Sequence, residues 1–109
     1  MIWAEHLYLS ESIRNPEKIK RKIRQHAGLP FIYVIVLSDR EDEQLVIYCA
    51  DEYLKDYMKK RNDYAIGICR GKLRARNMIG KIFSDVYEKT GSCDVKSYFL
   101  SQKEKEERR

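Results

Sequence analysis

Cysteine, proline and glycine are scarce in this chain, with three, two and five copies in 109 residues. The cysteines Cys49, Cys69 and Cys93 form an odd, sparse set, which argues against the disulfide framework of a small secreted domain and for reduced thiols in a cytoplasm. No pair of them has CxxC spacing, and His6 and His26 are the only histidines, so a structural zinc site lacks its ligands. No metal or other cofactor is expected. Nor is there a local signature of Ser-His-Asp or Cys-His catalysis. The longest apolar run, residues 29–37, is about half of what a membrane span needs, and no membrane partner is expected. The first six residues lack the basic start and apolar stretch of a signal peptide. With so little proline and glycine, no linker divides the chain, and no repeat of solenoid spacing is visible.

What remains is an ordinary single domain. A chain of this length buries roughly two-thirds of its unfolded surface, enough for a core without staples. The apolar share of 43% and eight tyrosines suggest a core containing polar-tipped aromatics. Residues 1–100 are read as this domain. Residues 101–109 are all polar or charged and are expected to form a flexible tail.

The local signals run in the order β-α-β-β-α-β-α. Residues 2–9 alternate as a strand does, although a helix also fits them. Asn15-Pro16-Glu17 is a helix start with a capping side chain, proline in the first turn and an acid at the positive dipole end. Ile19 and Ile23 give that helix one apolar face, and Gly28 is expected to end it. Residues 31–37 and 45–49 read as strands joined by the charged turn 39–43, an antiparallel hairpin. Asp51 is placed to cap a helix with Tyr53, Leu54, Tyr57 and Met58 as its apolar stripe. Residues 64–69 are a third strong strand, with Ala65, Gly67 and Cys69 expected on one face. A helix over residues 72–90 follows, with Leu73, Ala75, Met78, Ile79, Ile82, Phe83, Val86 and Tyr87 recurring near 3.6 residues.

This predicts an α/β (α+β) domain with a mixed sheet of three or four strands, ferredoxin-like or related. The strands 31–37, 45–49 and 64–69 are apolar at nearly every position, so both sheet faces need cover. Either the chain's own helices or a partner in a homodimer supplies the second layer.

The net charge is +5 and it is clustered. Residues 14–24 carry six basic side chains against Glu17, and residues 55–81 are strongly basic. Arg14, Lys18, Arg21, Lys22, Arg24, Lys59, Lys60, Arg61 and Arg74 are therefore candidates for contacting nucleic acid, whose phosphates demand such charge. The strand tyrosines Tyr8, Tyr33, Tyr48 and Tyr64 offer bases a stacking platform if they share an open face. The turn at 67–72 is a second candidate: Cys69, Arg70, Gly71 and Lys72 at a helix start suit a small anionic ligand, though the spacing is not that of a Walker loop. Cys49 and Cys69 each end a strand, and parallel neighbours would bring the two sulfurs to one rim. Phe31-Ile32-Tyr33 and Val46-Ile47-Tyr48 faintly resemble the opening of a GIY-YIG nuclease. Both glycines are missing and the expected downstream Arg, His and metal-binding Glu have no clear counterparts, so the likeness is treated as accidental.

The leading expectation is a cytoplasmic, non-enzymatic binding or assembly module, homodimeric if a partner covers the sheet. A nucleic-acid-binding protein using residues 14–24 and 55–81 is the second. A small enzyme or anion-binding regulator built on the 67–72 turn is the third.

Overall fold

The computed structural model describes residues 1–109, and its centre is a four-stranded mixed sheet. The strands are β1 (Ile2–Leu9), β2 (Ile32–Leu37), β3 (Leu45–Cys49) and β4 (Tyr64–Arg70), arranged β1-β4-β2-β3. β1 and β4 are parallel, and β2 runs antiparallel to both β4 and β3. The helices are α1 (Pro16–Arg24), α2 (Asp56–Lys59), α3 (Lys72–Thr90) and α4 (Val95–Glu107). The ferredoxin-like pattern fits only loosely, because β1 sits at an edge and helices lie on both faces. No helix is long and apolar enough to cross a membrane.

Both faces are closed by the chain itself. Along β2, Ile32, Val34 and Val36 join Ile19 and Ile23 of α1, Tyr53 and Met58 in one core. The alternate residues Ile35 and Leu37 join Ala75, Ile82 and Val86 of α3 and Val95 and Phe99 of α4 in the other. Each core contains eleven buried residues, so the two layers are equal partners and the sheet calls for no second copy as cover.

The centre of the sheet is irregular. Ile35 stands opposite Gly67 and Val36 opposite Ala65, which leaves Ile66 unpaired in a bulge. The bulge resets the alternation. Cys69 joins Tyr64 and Ile66 on the α3 face, while Ala65 packs with Ile68 on the α1 face. The expected single face of Ala65, Gly67 and Cys69 is therefore divided. Gly67 itself lies close under β1 and β2: a Cβ there would stand 3.3 Å from Ile35 Cδ1 and 3.4 Å from the Tyr8 carbonyl oxygen.

Three other local expectations shift. Residues 50–59 do not form one helix: a 3₁₀ turn, Ala50–Leu54, precedes the short α2, and Tyr57 is exposed. Asp51 caps nothing there and instead accepts the Leu29 N–H at 2.6 Å. Residues 101–107 continue α4, which Glu106 ties to the sheet by accepting the Glu5 N–H at 3.1 Å and the Tyr64 hydroxyl at 2.8 Å. In α3, Leu73 and Tyr87 face outward although they share the apolar period.

Helix α1 also ends earlier than Gly28. Asn15 caps its start, accepting the Lys18 N–H at 3.2 Å. At its end the Ala27 N–H bonds to the Lys22 carbonyl and the His26 N–H to the Ile23 carbonyl, a Schellman closure with His26 at φ +56°. A side chain in this left-handed conformation costs roughly 1–2 kcal/mol. His26→Gly is expected to raise stability by about 1 kcal/mol, seen as a higher midpoint in thermal unfolding. An unchanged or lower midpoint would contradict a strained closure at His26.

Tyrosine hydroxyls bind the layers. Tyr8 donates to Asp85 of α3 at 2.9 Å, Tyr53 to Asp63 at 2.9 Å and Tyr64 to Glu106. Burial and then the adjacent carboxylate push all three phenols well above their ordinary value of 10.0. Burial alone pushes the Cys69 thiol from 9.0 up to about 11. The folded chain thus keeps protons that the unfolded chain releases, and stability present below pH 9 drains as pH rises above it. Unfolding by denaturant is expected to become easier between about pH 9 and 11. A midpoint flat across that window would show these groups to be wet.

Candidate functional site

The structure gathers part of the predicted basic set around one cleft. Three segments meet where β1 and β4 end and β2 begins: the loop 10–15, the loop 28–31 and Arg70 at the tip of β4. Carboxyl ends of parallel strands are a common place for ligands in α/β sheets. The segments are knit to one another. The Arg70 N–H donates to Ser10 Oγ at 3.1 Å, and the Gly71 N–H donates to the Phe31 carbonyl at 2.8 Å. Together with the Leu29–Asp51 bond, these contacts set the cleft walls.

The cleft has a volume of about 510 Å³, and Arg14, Lys18, Lys22 and Arg70 supply its charge. No carboxylate, imidazole or thiol lines it. None of the four cations forms an ion pair within the chain. Ser12 also lines the cleft, and its hydroxyl is the one buried side-chain polar atom without a hydrogen-bond partner. Phe31 completes the lining, 72% exposed and with φ at +67°.

A second basic groove lies on the other flank of α1. Lys20, Arg24, Lys59 and Arg61 line it with Trp3, His26 and Tyr53, in a volume of about 220 Å³. Its charge is largely spent. Lys20 pairs with Glu17 at 3.0 Å, Lys59 with Asp56 at 3.6 Å, and Arg61 with Asp63 at 3.0 Å. The Arg61–Asp63 pair also carries Tyr53, so it holds the 3₁₀ turn to the start of β4. The two flanks therefore differ in degree: in one only Arg24 lacks an ion pair, in the other none of the four cations has one.

The remaining predicted residues fall as follows. Arg21 is exposed on α1, outside both linings, and Lys60 is exposed at the end of α2. Arg74 stands apart on α3, with Lys81 and Glu11 about another depression. In the 67–72 turn only Arg70 reaches the cleft. Lys72 is exposed on α3, and Gly71 spends its N–H on Phe31. Cys69 is fully buried, its sulfur 3.3 Å from that of Met78. Cys49 and Cys69 are not neighbours, because β2 runs between their strands and Tyr33 is in register with both. That spacing is about 10 Å, too far for a disulfide. The strand tyrosines share no open face: Tyr8, Tyr33 and Tyr64 pack beneath α3 and α4, and Tyr48 against the opposite core.

Phe31 and Ser12 are the lining residues that sequence reasoning missed. Phe31 reads as the first apolar residue of a strand, and nothing in Leu29-Pro30-Phe31 announces a left-handed backbone. Ser12 carries no pattern at all. Comparison with protein families, characterised proteins and solved structures finds nothing that matches this chain.

The burial differences among the thiols give a direct check. Cys93 is exposed, Cys49 half-buried and Cys69 enclosed. Alkylation of the native protein, mapped by mass spectrometry, is expected to label Cys93 first and Cys69 only after unfolding. Labelling of Cys69 as fast as Cys93 would be incompatible with an enclosed Cys69 sulfur.

Proposed function

We propose that the protein is a non-enzymatic binding module for nucleic acid, contacting phosphates through α1 and the cleft at its N-terminal end. The reading is carried by four cations, Arg14, Lys18, Lys22 and Arg70, that share one cleft with no carboxylate and no internal partner. Surface cations are ordinarily interspersed with acids. Concentrating unpaired ones in a concave site raises the local potential, which attracts a polyanion and speeds its encounter. Arg21 and Arg24, exposed on the same helix, extend the charge beyond the cleft. That extent suits a chain of phosphates better than a single small anion. The lining offers donors for phosphate oxygens and no carboxylate, imidazole or thiol for proton transfer, which favours binding over catalysis.

A homodimeric assembly role drew its support from sheet faces in need of cover. With both faces packed under the chain's own helices, that support is withdrawn.

Charge-driven binding weakens as salt rises, by about 0.7 in log–log slope for each single-strand phosphate neutralised. Four cleft contacts give an expected slope near −3 between about 50 and 200 mM salt, read by fluorescence anisotropy of a labelled oligonucleotide. Reversing two cations, Lys18→Glu with Lys22→Glu, is expected to lower affinity by tenfold or more and flatten the slope. Reversing Lys103 and Lys105 on α4 is the control and should change little. If the α1 pair and the α4 pair behave alike, the cleft is not the binding site.

A further inference from the structure

We infer that the cleft takes an unpaired nucleotide, with its base stacked on Phe31, and hence that the protein selects single-stranded over duplex nucleic acid. This selectivity rests on the nucleic-acid reading and adds to it the form of strand that is bound.

Strand parity places Phe31 where its neighbours would not. In β2 the even residues Ile32, Val34 and Val36 face α1, and the odd residues Tyr33, Ile35 and Leu37 face α3. An extended Phe31 would continue the odd set and bury its ring beneath α3. Its left-handed backbone, φ +67°, takes it out of that alternation and onto the α1 side, where it lines the cleft with Ile13, Ile19 and Ile32. For a bulky residue this backbone is a true outlier. The bond from the Gly71 N–H to the Phe31 carbonyl, 2.8 Å, holds it there. The outcome is the most exposed large apolar side chain in the molecule, at 72%. Burial and backbone preference would both be better served by the other orientation, and such outliers concentrate where a ligand is held.

What would occupy the ring face follows from its surroundings. Arg14, Lys18, Lys22 and Arg70 line the same cleft, so an occupant pairs a flat π-surface with phosphate. That combination is a nucleotide within a strand, and base-on-aromatic stacking beside a basic groove is how single strands are held. A volume of about 510 Å³ falls in the range of pockets that enclose small ligands, so a base with its sugar and phosphate fits. In a duplex both faces of each base are already stacked, and the ring has nothing to meet.

The test measures the whole protein against a labelled oligo-dT of about 15 nucleotides and a duplex of equal length. Wild type is expected to favour the single strand. Phe31→Ala is expected to lose about tenfold on the single strand, with duplex affinity and salt slope unchanged. Phe31→Trp should restore the loss, and its added indole fluorescence should be quenched as the single strand is titrated in. Phe31 is exposed, so these variants keep the fold, which circular dichroism verifies. Equal affinity for the two forms, or full single-strand affinity in Phe31→Ala, overturns the stacking inference. In that event the salt dependence and its loss in the Lys18→Glu, Lys22→Glu variant still stand for the nucleic-acid reading. Absence of salt-dependent binding to either form overturns both.

Discussion

The constraint on which the rest depends is a sheet whose strands are apolar on both faces. A strand such as β2, with Ile32, Val34, Ile35 and Val36 all enclosed, cannot leave either side wet without exposing several large aliphatic side chains, each worth about 1.5–3 kcal/mol when buried. Two helical layers are the physical answer, and the chain provides both: α1, the 3₁₀ turn and α2 on one side, α3 and α4 on the other. The consequence reaches the function. With its faces sealed, the sheet cannot serve as the open aromatic platform that the four strand tyrosines suggest. The basic cleft lies instead at the rim, where strands give way to loops.

Sealing the faces leaves the edges and the joints between layers. Tyrosine hydroxyls placed opposite carboxylates fasten these joints: Tyr8 to Asp85, Tyr64 to Glu106, and Tyr53 to Asp63, which also binds Arg61. The edge strand β1 is held differently. Its register slips between Trp3 and Tyr8, and the displaced segment gives its Glu5 N–H to Glu106 and the Glu5 carboxylate to Arg109. The charged C-terminal stretch thus covers an edge that would otherwise be free to pair.

Positive φ occurs at two residues other than glycine, and both follow the same helix. His26 closes α1 and Phe31 opens β2, five residues later. Between them the chain must turn off α1, pass Pro30 and enter the middle of the sheet, and glycine stands at neither left-handed position. The first outlier terminates a helix. The second redirects an aromatic ring into a cleft whose cations are uncompensated, in contrast with the groove across α1, where Lys20, Lys59 and Arg61 are paired. Backbone conformation and charge balance, taken together, separate the two sides of one basic helix.

Much of the fold was legible from residue pattern. The strands read at 31–37, 45–49 and 64–69, the long helix from 72 to 90 and the hairpin follow from signals that act over a few residues: β-branched runs, helical periodicity and a cap at Asn15; Phe31 alone falls outside its strand and Arg70 is added to the last. The need for two covering layers was legible as well, because it depends only on which side chains are apolar. The basic character of residues 14–24 was equally plain. What tertiary structure decided was everything that turns on distance between remote segments. It set strand order, which put Tyr33 between Cys49 and Cys69; the bulge at Ile66, which moved Cys69 to the α3 face; and the ion pairs that cancel Lys20, Lys59 and Arg61 but not Arg14, Lys18, Lys22 or Arg70. Charge along a sequence counts residues, whereas a field in a cleft depends on which of them stand together and which have already met a carboxylate.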